Sequence, residues 1–234
     1  MGGLETTLGG GREQFPETVW SSAVAGADPA ALDRFLSDYW RPVYTFIRSA
    51  GRSSIEDAKD LTQEFFRYLI EGGLLARYRQ GKGRFRGFLK GVLRNFLSQA
   101  RRDAHAQKRG GGRAIVSLDV EGLETERFLA DRRRLSPEEV FDRQWASDLL
   151  AQSLAELRRV LPAECLKVYE AYELSGGEPT YGGVARSFGL TEHQVKGHLD
   201  TARARLEQLV RARLAAGVST PAELADQMNE LFSG

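Results

Sequence analysis

Three sets of polar residues carry the chemistry this sequence can offer. In EDAKDLTQEFF, Asp57, Asp60 and Glu64 recur at intervals of three, four and seven, which gathers them on one side of a helix beside Glu56. Clustered carboxylates of this kind serve metal-dependent nucleases, and they serve equally as a protein-docking face beside Gln63 or as a merely solvated surface. No histidine or further acid stands at ligand spacing to complete a metal site. In GKGRFRGFLKGVLRNFLSQARRD, Arg86, Lys90 and Arg94 are four apart and lead toward Arg101 and Arg102, a ridge suited to a phosphate backbone. The preceding loop adds Tyr78, Arg79, Lys82 and Arg84 among glycines, a combination able to hold an unstacked base against an aromatic or guanidinium plane. The third set lies in TYGGVARSFGLTEHQVKGHLDTARARL. There Glu192, His193, Lys196, Gly197, Asp200 and Arg203 share the outer side of a helix and suit base edges and phosphates in a major groove.

The charge distribution supports anionic partners. The chain carries a formal net charge of only +1 over 234 residues, yet the segment 77–113 has a local net of +11 and 117–142 a local net of −4. A single cysteine, Cys165, excludes an internal disulfide and reads as a half-buried thiol, and three histidines leave little for metal chemistry. The sequence predicts neither a metal nor a cofactor. No run approaches the length of a membrane helix and the N-terminus lacks a signal-peptide core, so a cytoplasmic protein without membrane contact is expected.

The elements that must position these residues are all helical. Residues 1–14 are Gly-rich and read as disordered. In residues 15–107 a first helix has Asp28 as N-cap and Leu32, Phe35, Leu36, Tyr39, Val43, Phe46 and Ile47 on its buried face, with Pro42 expected to kink or split it. A second begins at Ser53 or Ser54, buries Ile55, Ala58, Leu61, Phe65 and Leu69, and stops at Gly72-Gly73. The basic helix buries Phe85, Phe88, Leu89, Val92, Leu93, Phe96 and Leu97. Residues 108–140, including Ser136-Pro137, read as an acidic linker. Residues 141–212 form a second helical domain, in which a short helix ends at Gly189 and the next is capped by Thr191 and Gln194. A tail helix follows within 213–234. The expected fold is therefore all-α, with two small helical domains, a linker and a short C-terminal helix.

DAKDLTQEFFRYL, then FRGFLKGVLRNFLSQARRD, then TYGGVARSFGLTEHQVKGHLDTARARL, in that order over about residues 15 to 212, closely resemble the extracytoplasmic-function group of bacterial sigma factors. The resemblance implies a non-enzymatic initiation subunit of RNA polymerase. It implies that Asp57, Asp60, Leu61, Gln63, Glu64 and Phe65 dock on the clamp helices of the polymerase's largest subunit, with a second contact at the flap. It assigns Arg79, Lys82, Arg84, Arg86, Lys90, Arg94, Asn95, Arg101 and Arg102 to melting and holding the −10 element. Thr191, Glu192, His193, Gln194, Lys196, Gly197, Asp200 and Arg203 would read the −35 element, and the acidic linker would face the polymerase. Lys59 stands where relatives carry an acid, which makes Ser53, Ser54 and Thr62 candidate phosphorylation switches. An anti-sigma protein or a Ser/Thr kinase is the implied regulator. Two readings independent of the resemblance are a free-standing helix-turn-helix regulator and a metal-dependent nuclease using Asp57, Asp60 and Glu64.

Overall fold

The computed structural model describes residues 29–51, 54–78, 85–107, 135–215, 217–218 and 220–232, and these contain eight α-helices and no strand. They are α1 (Pro29–Ala50), α2 (Ile55–Glu71), α3 (Phe85–Gln107), α4 (Pro137–Val160), α5 (Ala163–Glu173), α6 (Tyr181–Phe188), α7 (Glu192–Ala215) and α8 (Pro221–Phe232), with a 3₁₀ turn at Leu75–Arg77. The expected all-α class is observed. Among the described residues no helix is long and apolar enough to cross a membrane. The Asp28 cap, Ser53, the loop residues Arg79, Lys82 and Arg84, the Gly-rich residues 1–14 and the body of the linker lie outside the described residues.

The first three helices share an aromatic core. Phe35 of α1 meets Phe66 of α2 and Phe85 of α3 edge-on, at centroid separations of 5.8 and 5.9 Å. Phe65 and Phe96 pack the other end of the same layer at 5.5 Å. Such tilted and T-shaped contacts align ring edges with ring faces and add to the burial of the apolar area itself. α1 continues through Pro42 as one helix, so the expected split does not occur. Thr45, fully buried, donates its hydroxyl to the Pro42 carbonyl at 3.0 Å, so its polar atom is satisfied inside the core.

The buried face of α2 is rotated from the expected one. Ile55 is exposed and Leu61 half-buried, while Thr62 and Phe66 are buried beside Ala58, Phe65 and Leu69. Thr62 enters the core because its hydroxyl donates to the Ala58 carbonyl one turn back, at 2.6 Å.

Ser136 and Pro137, expected in the linker, instead start α4. Ser136 Oγ accepts the Glu139 amide at 3.3 Å and the Glu139 carboxylate accepts the Ser136 amide at 2.8 Å, a reciprocal cap with proline at the first helical position. The backbone and hydroxyl of Ser136 hold the Glu139 carboxyl below its usual range. α4 lies along α1 and also meets α7, so its residues Phe141 and Trp145 belong to the same continuous core as Tyr39 and Phe46. The two halves of the chain are thus in contact through α1 and α4. Cys165, expected half-buried, is fully buried, with its thiol donating to the His198 carbonyl at 3.2 Å; burial pushes its pKa up.

Candidate nucleic-acid and protein interfaces

The C-terminal motif folds as its local chemistry dictates. Thr180 caps α6 by accepting the Gly183 amide at 3.1 Å. Gly189 ends α6 at φ +67, and the next amide, Leu190 N–H, donates back to the Ala185 carbonyl at 2.9 Å. Thr191 and Gln194 then cap α7 reciprocally: the Gln194 amide reaches Thr191 Oγ1 at 3.2 Å and the Thr191 amide reaches Gln194 Oε1 at 2.8 Å. Val184, Ala185, Val195, Leu199, Ala202 and Leu206 are buried in the core that α6 and α7 share with α5. This is a helix-turn-helix whose second helix is α7.

Glu192, His193, Lys196, Gly197 and Asp200 are exposed along the first turns of α7. A Cβ added at Gly197 would meet open space, so the glycine leaves a smooth approach for a groove wall. Three of the expected reading residues have other work. Thr191 and Gln194 are engaged in the cap, and Arg203 donates from Nε and Nη2 to Glu173 Oε1 at 2.9 and 2.6 Å. The Glu173 carboxylate holds the Arg203 pKa up, and with Asp200 also within 4.0 Å the guanidinium is directed at α5 rather than outward.

Only Gly fits the Gly189 conformation without strain, since an L side chain in that region crowds the backbone. Gly189→Ala is expected to destabilise the C-terminal half by about 1 kcal/mol, read as a lowered urea midpoint with an unchanged slope.

The basic ridge of α3 is divided. Its C-terminal part is open: Arg94, Asn95, Arg101 and Arg102 are exposed. Arg101 also donates to the Ala50 carbonyl at 2.6 Å, tying the end of α1, and Arg102 donates to Gln99 at 2.8 Å. Arg94, Arg101 and Arg102 line a cleft of about 480 Å³ with apolar Phe46 and Leu97. Its N-terminal part is covered by α4. The Arg86 guanidinium lies 3.7 Å from the centre of the Trp145 ring and 3.7 Å from Asp142, and Lys90 Nζ donates to Asp142 at 2.6 Å. Their side chains are only 12% and 17% exposed. Arg94 in turn stands 3.5 Å from Glu138. The expectation that Arg86 and Lys90 face solvent is therefore corrected, and so is the expectation that Glu138 faces the polymerase as a linker acid: it stands on Arg94, while Asp142 of the second domain neutralises Arg86 and Lys90.

On α2, Asp57, Asp60 and Glu64 are exposed on one side and Gln63 is half-buried beside them. Asp57 also has a structural role, since its carboxylate accepts the Ser54 amide at 3.2 Å while its own amide reaches Ser54 Oγ at 3.0 Å. Lys59 leans on Glu56 at 3.5 Å, which lowers the net negative charge of this face. Phe65, expected to touch a partner, is 0% exposed in the aromatic core, so it shapes the face from behind. Thr62 is likewise buried and hydrogen-bonded, so it is no substrate for a kinase in this fold. Ser54 is exposed but serves as the cap. Among the described residues no three His, Cys, Asp or Glu are grouped to hold a metal ion.

A polar joint links the halves. Gln152 donates to Asp38 at 3.3 Å and accepts from Arg213 at 2.7 Å, while Asp148 accepts from Gln144 at 2.9 Å and stands 3.7 Å from Arg41. Burial pushes both Asp38 and Asp148 above the usual carboxylate range, against the lowering effects of Gln152, Arg213 and Arg34 on the first and Gln144 and Arg41 on the second. A raised acid binds more protons folded than unfolded, so its ionisation opposes folding, and stability falls as pH rises through the window above 3.8. Between about pH 4 and 7 the melting temperature of the wild-type chain should fall relative to that of Asp148→Asn, which removes one of these titrations.

A family model described as ECF sigma factor matches residues 18–212. No curated protein matches the chain.

Proposed function

The chain belongs to the ECF sigma factor family and directs promoter recognition in transcription initiation, and from that premise we propose which of its surfaces do so. Factors of this family are transcription regulators rather than enzymes and act with core RNA polymerase, promoter DNA and anti-sigma factors. In the proposed division of labour, residues 15–107 bind core polymerase and the −10 element, and residues 141–212 read the −35 element. Asp60 and Glu64 carry docking on the clamp helices, with Leu61 and Gln63 at the edge of that face. Arg94, Asn95, Arg101 and Arg102, together with Arg79, Lys82 and Arg84 before α3, hold the opened −10 strand. Glu192, His193, Lys196 and Asp200 read the −35 groove, and the C-terminal half reaches the flap. Ser54, exposed at the start of α2, and Ser53, which precedes it in the sequence, remain candidate sites for a Ser/Thr kinase.

The observation that carries this reading is the helix-turn-helix with Glu192, His193, Lys196 and Asp200 exposed on the first turns of its second helix. The cleft at Arg94, Arg101 and Arg102, whose three guanidinium groups outnumber the one carboxylate, Glu138, that also lines it, supports the −10 assignment through phosphate attraction beside an apolar floor. Run-off transcription with core polymerase tests it: Arg101→Glu/Arg102→Glu should lose transcripts both from closed duplex promoters and from templates already unpaired at −10, because the opened strand must be held in either case. Full recovery on the unpaired template would place the effect outside strand capture.

A further inference from the structure

The α4 acids alone do not account for how the basic ridge is closed. Helix α8 lies beyond the residues 18–212 that match the family; it packs chiefly on α7, and its Gln227 and Glu230 reach the joint between the halves. Its cap is Thr220, whose hydroxyl accepts the Glu223 amide at 3.1 Å. Leu224, Gln227 and Met228 are buried, as is Val218 just before the helix, and Leu231 packs against the same core. From its outer edge Glu230 Oε2 reaches within 3.8 Å of Arg86 Nη2. Arg86 is thereby held by three elements at once: its own α3, the Trp145 ring and Asp142 of α4, and Glu230 of α8. Arg86, Lys90, Asp142, Trp145, Glu230 and Leu231 line one shared cleft.

The joint beneath combines an apolar contact, Phe141 and Trp145 of α4 against Tyr39 and Phe46 of α1, with a polar patch. Its interior holds Asp38, Asp148, Gln152, Arg213 and Gln227 around a cavity of about 40 Å³. Tyr39, Phe85, Trp145, Leu149 and Leu214 line the same cavity, so parting the joint returns water to the polar patch but gives up apolar contact as well. The carboxylates on Arg86 and Lys90 occupy the positions that DNA phosphates would take on the same cations, so the two arrangements are mutually exclusive at these residues.

We propose that α8 is an intramolecular latch: by reaching the joint from α7 and engaging Arg86, it keeps α4 over the N-terminal half of the α3 ridge and closes that half to DNA until α4 and α8 withdraw. The proposal rests on the reading of the α3 ridge as a DNA surface. The competing occupant is a nucleic-acid backbone, and the contest is between two protein carboxylates and phosphates for one guanidinium and one ammonium group.

Two full-length variants test it. Glu230→Arg reverses the tail's charge at a half-exposed position and sets two cations against each other, and Met228→Asp unseats the apolar face of α8. Two readouts are taken on each: the rate at which Lys90 is acetylated by a small amine-reactive reagent, followed by mass spectrometry, and the affinity for a fluorescent single-stranded DNA oligonucleotide at low salt. Both variants should raise Lys90 labelling and DNA affinity by about three- to tenfold over wild type, a range set by the modest worth of partly exposed ion pairs. Unchanged labelling in both variants would overturn the latch. Increased labelling with unchanged DNA affinity would overturn gating of DNA by locating the failure in the ridge's assignment, since the latch itself would have opened.

Discussion

Asp60→Arg is expected to lower affinity for core RNA polymerase by at least about tenfold while leaving the melting temperature within about a degree or two of wild type. Asp60 is exposed on α2 and has no capping role, so its substitution leaves the fold's own hydrogen bonds in place. It stands between Asp57 and Glu64 on the proposed docking face, where reversing one charge against a complementary surface costs several kcal/mol by repulsion and by stranding the partner's cation. Asp57→Ala is the instructive contrast. It removes a carboxylate from the same face and also breaks the Ser54 cap, so a loss of about 1 kcal/mol of stability should accompany any loss of binding. Binding measured by fluorescence anisotropy on labelled chain, with thermal melts of the same preparations, separates the two effects. An Asp60→Arg chain that binds core normally would move docking off this face.

Phe65→Ala is expected to destabilise the N-terminal half by about 3–5 kcal/mol, a large share of a small domain's total stability. Phe65 is 0% exposed and touches the rings of Phe66 and Phe96 at centroid separations of 5.6 and 5.5 Å, so truncation removes transfer free energy and leaves a cavity in a layer that has few ways to collapse. The family resemblance places this residue in the polymerase contact; its burial makes any loss of docking secondary to loss of structure. Urea unfolding settles which applies: a large drop in midpoint fits a core residue, whereas an unchanged midpoint with weakened core binding would fit direct contact.

The helices were legible in the sequence because each carries an apolar repeat at helical spacing and most carry local start and stop chemistry. Thr191 with Gln194 and Gly189 specify the turn between α6 and α7 within a few residues, and Gly72-Gly73 stop α2. Ser136-Pro137-Glu138-Glu139 is as clear a helix start, and it was hidden by the charged linker around it. The rotation of α2 was less legible. Thr62 and Leu61 differ by one step of about 100°, and polarity favours burying the leucine unless the hydroxyl finds the Ala58 carbonyl, which only the folded geometry reveals. The pairing of Arg86 and Lys90 with Asp142 is a contact between residues some fifty positions apart, for which the sequence offers only the complementary blocks of charge as a sign. The exposed acids of α2, the first turns of α7 and the C-terminal end of α3 stand where the motifs indicated, since these depend on local helix geometry. Covering of the ridge depends on how two halves meet, and no local pattern encodes it.

The most direct test of the promoter-specificity reading is run-off transcription by bacterial core polymerase on a library of promoter fragments, with and without the chain, with core binding measured on the same samples. Defined transcripts that appear only in its presence, and vanish with Lys196→Glu in α7, are the predicted result. A chain that binds duplex promoter DNA tightly by itself, fails to bind core and yields no transcript from any fragment would contradict it.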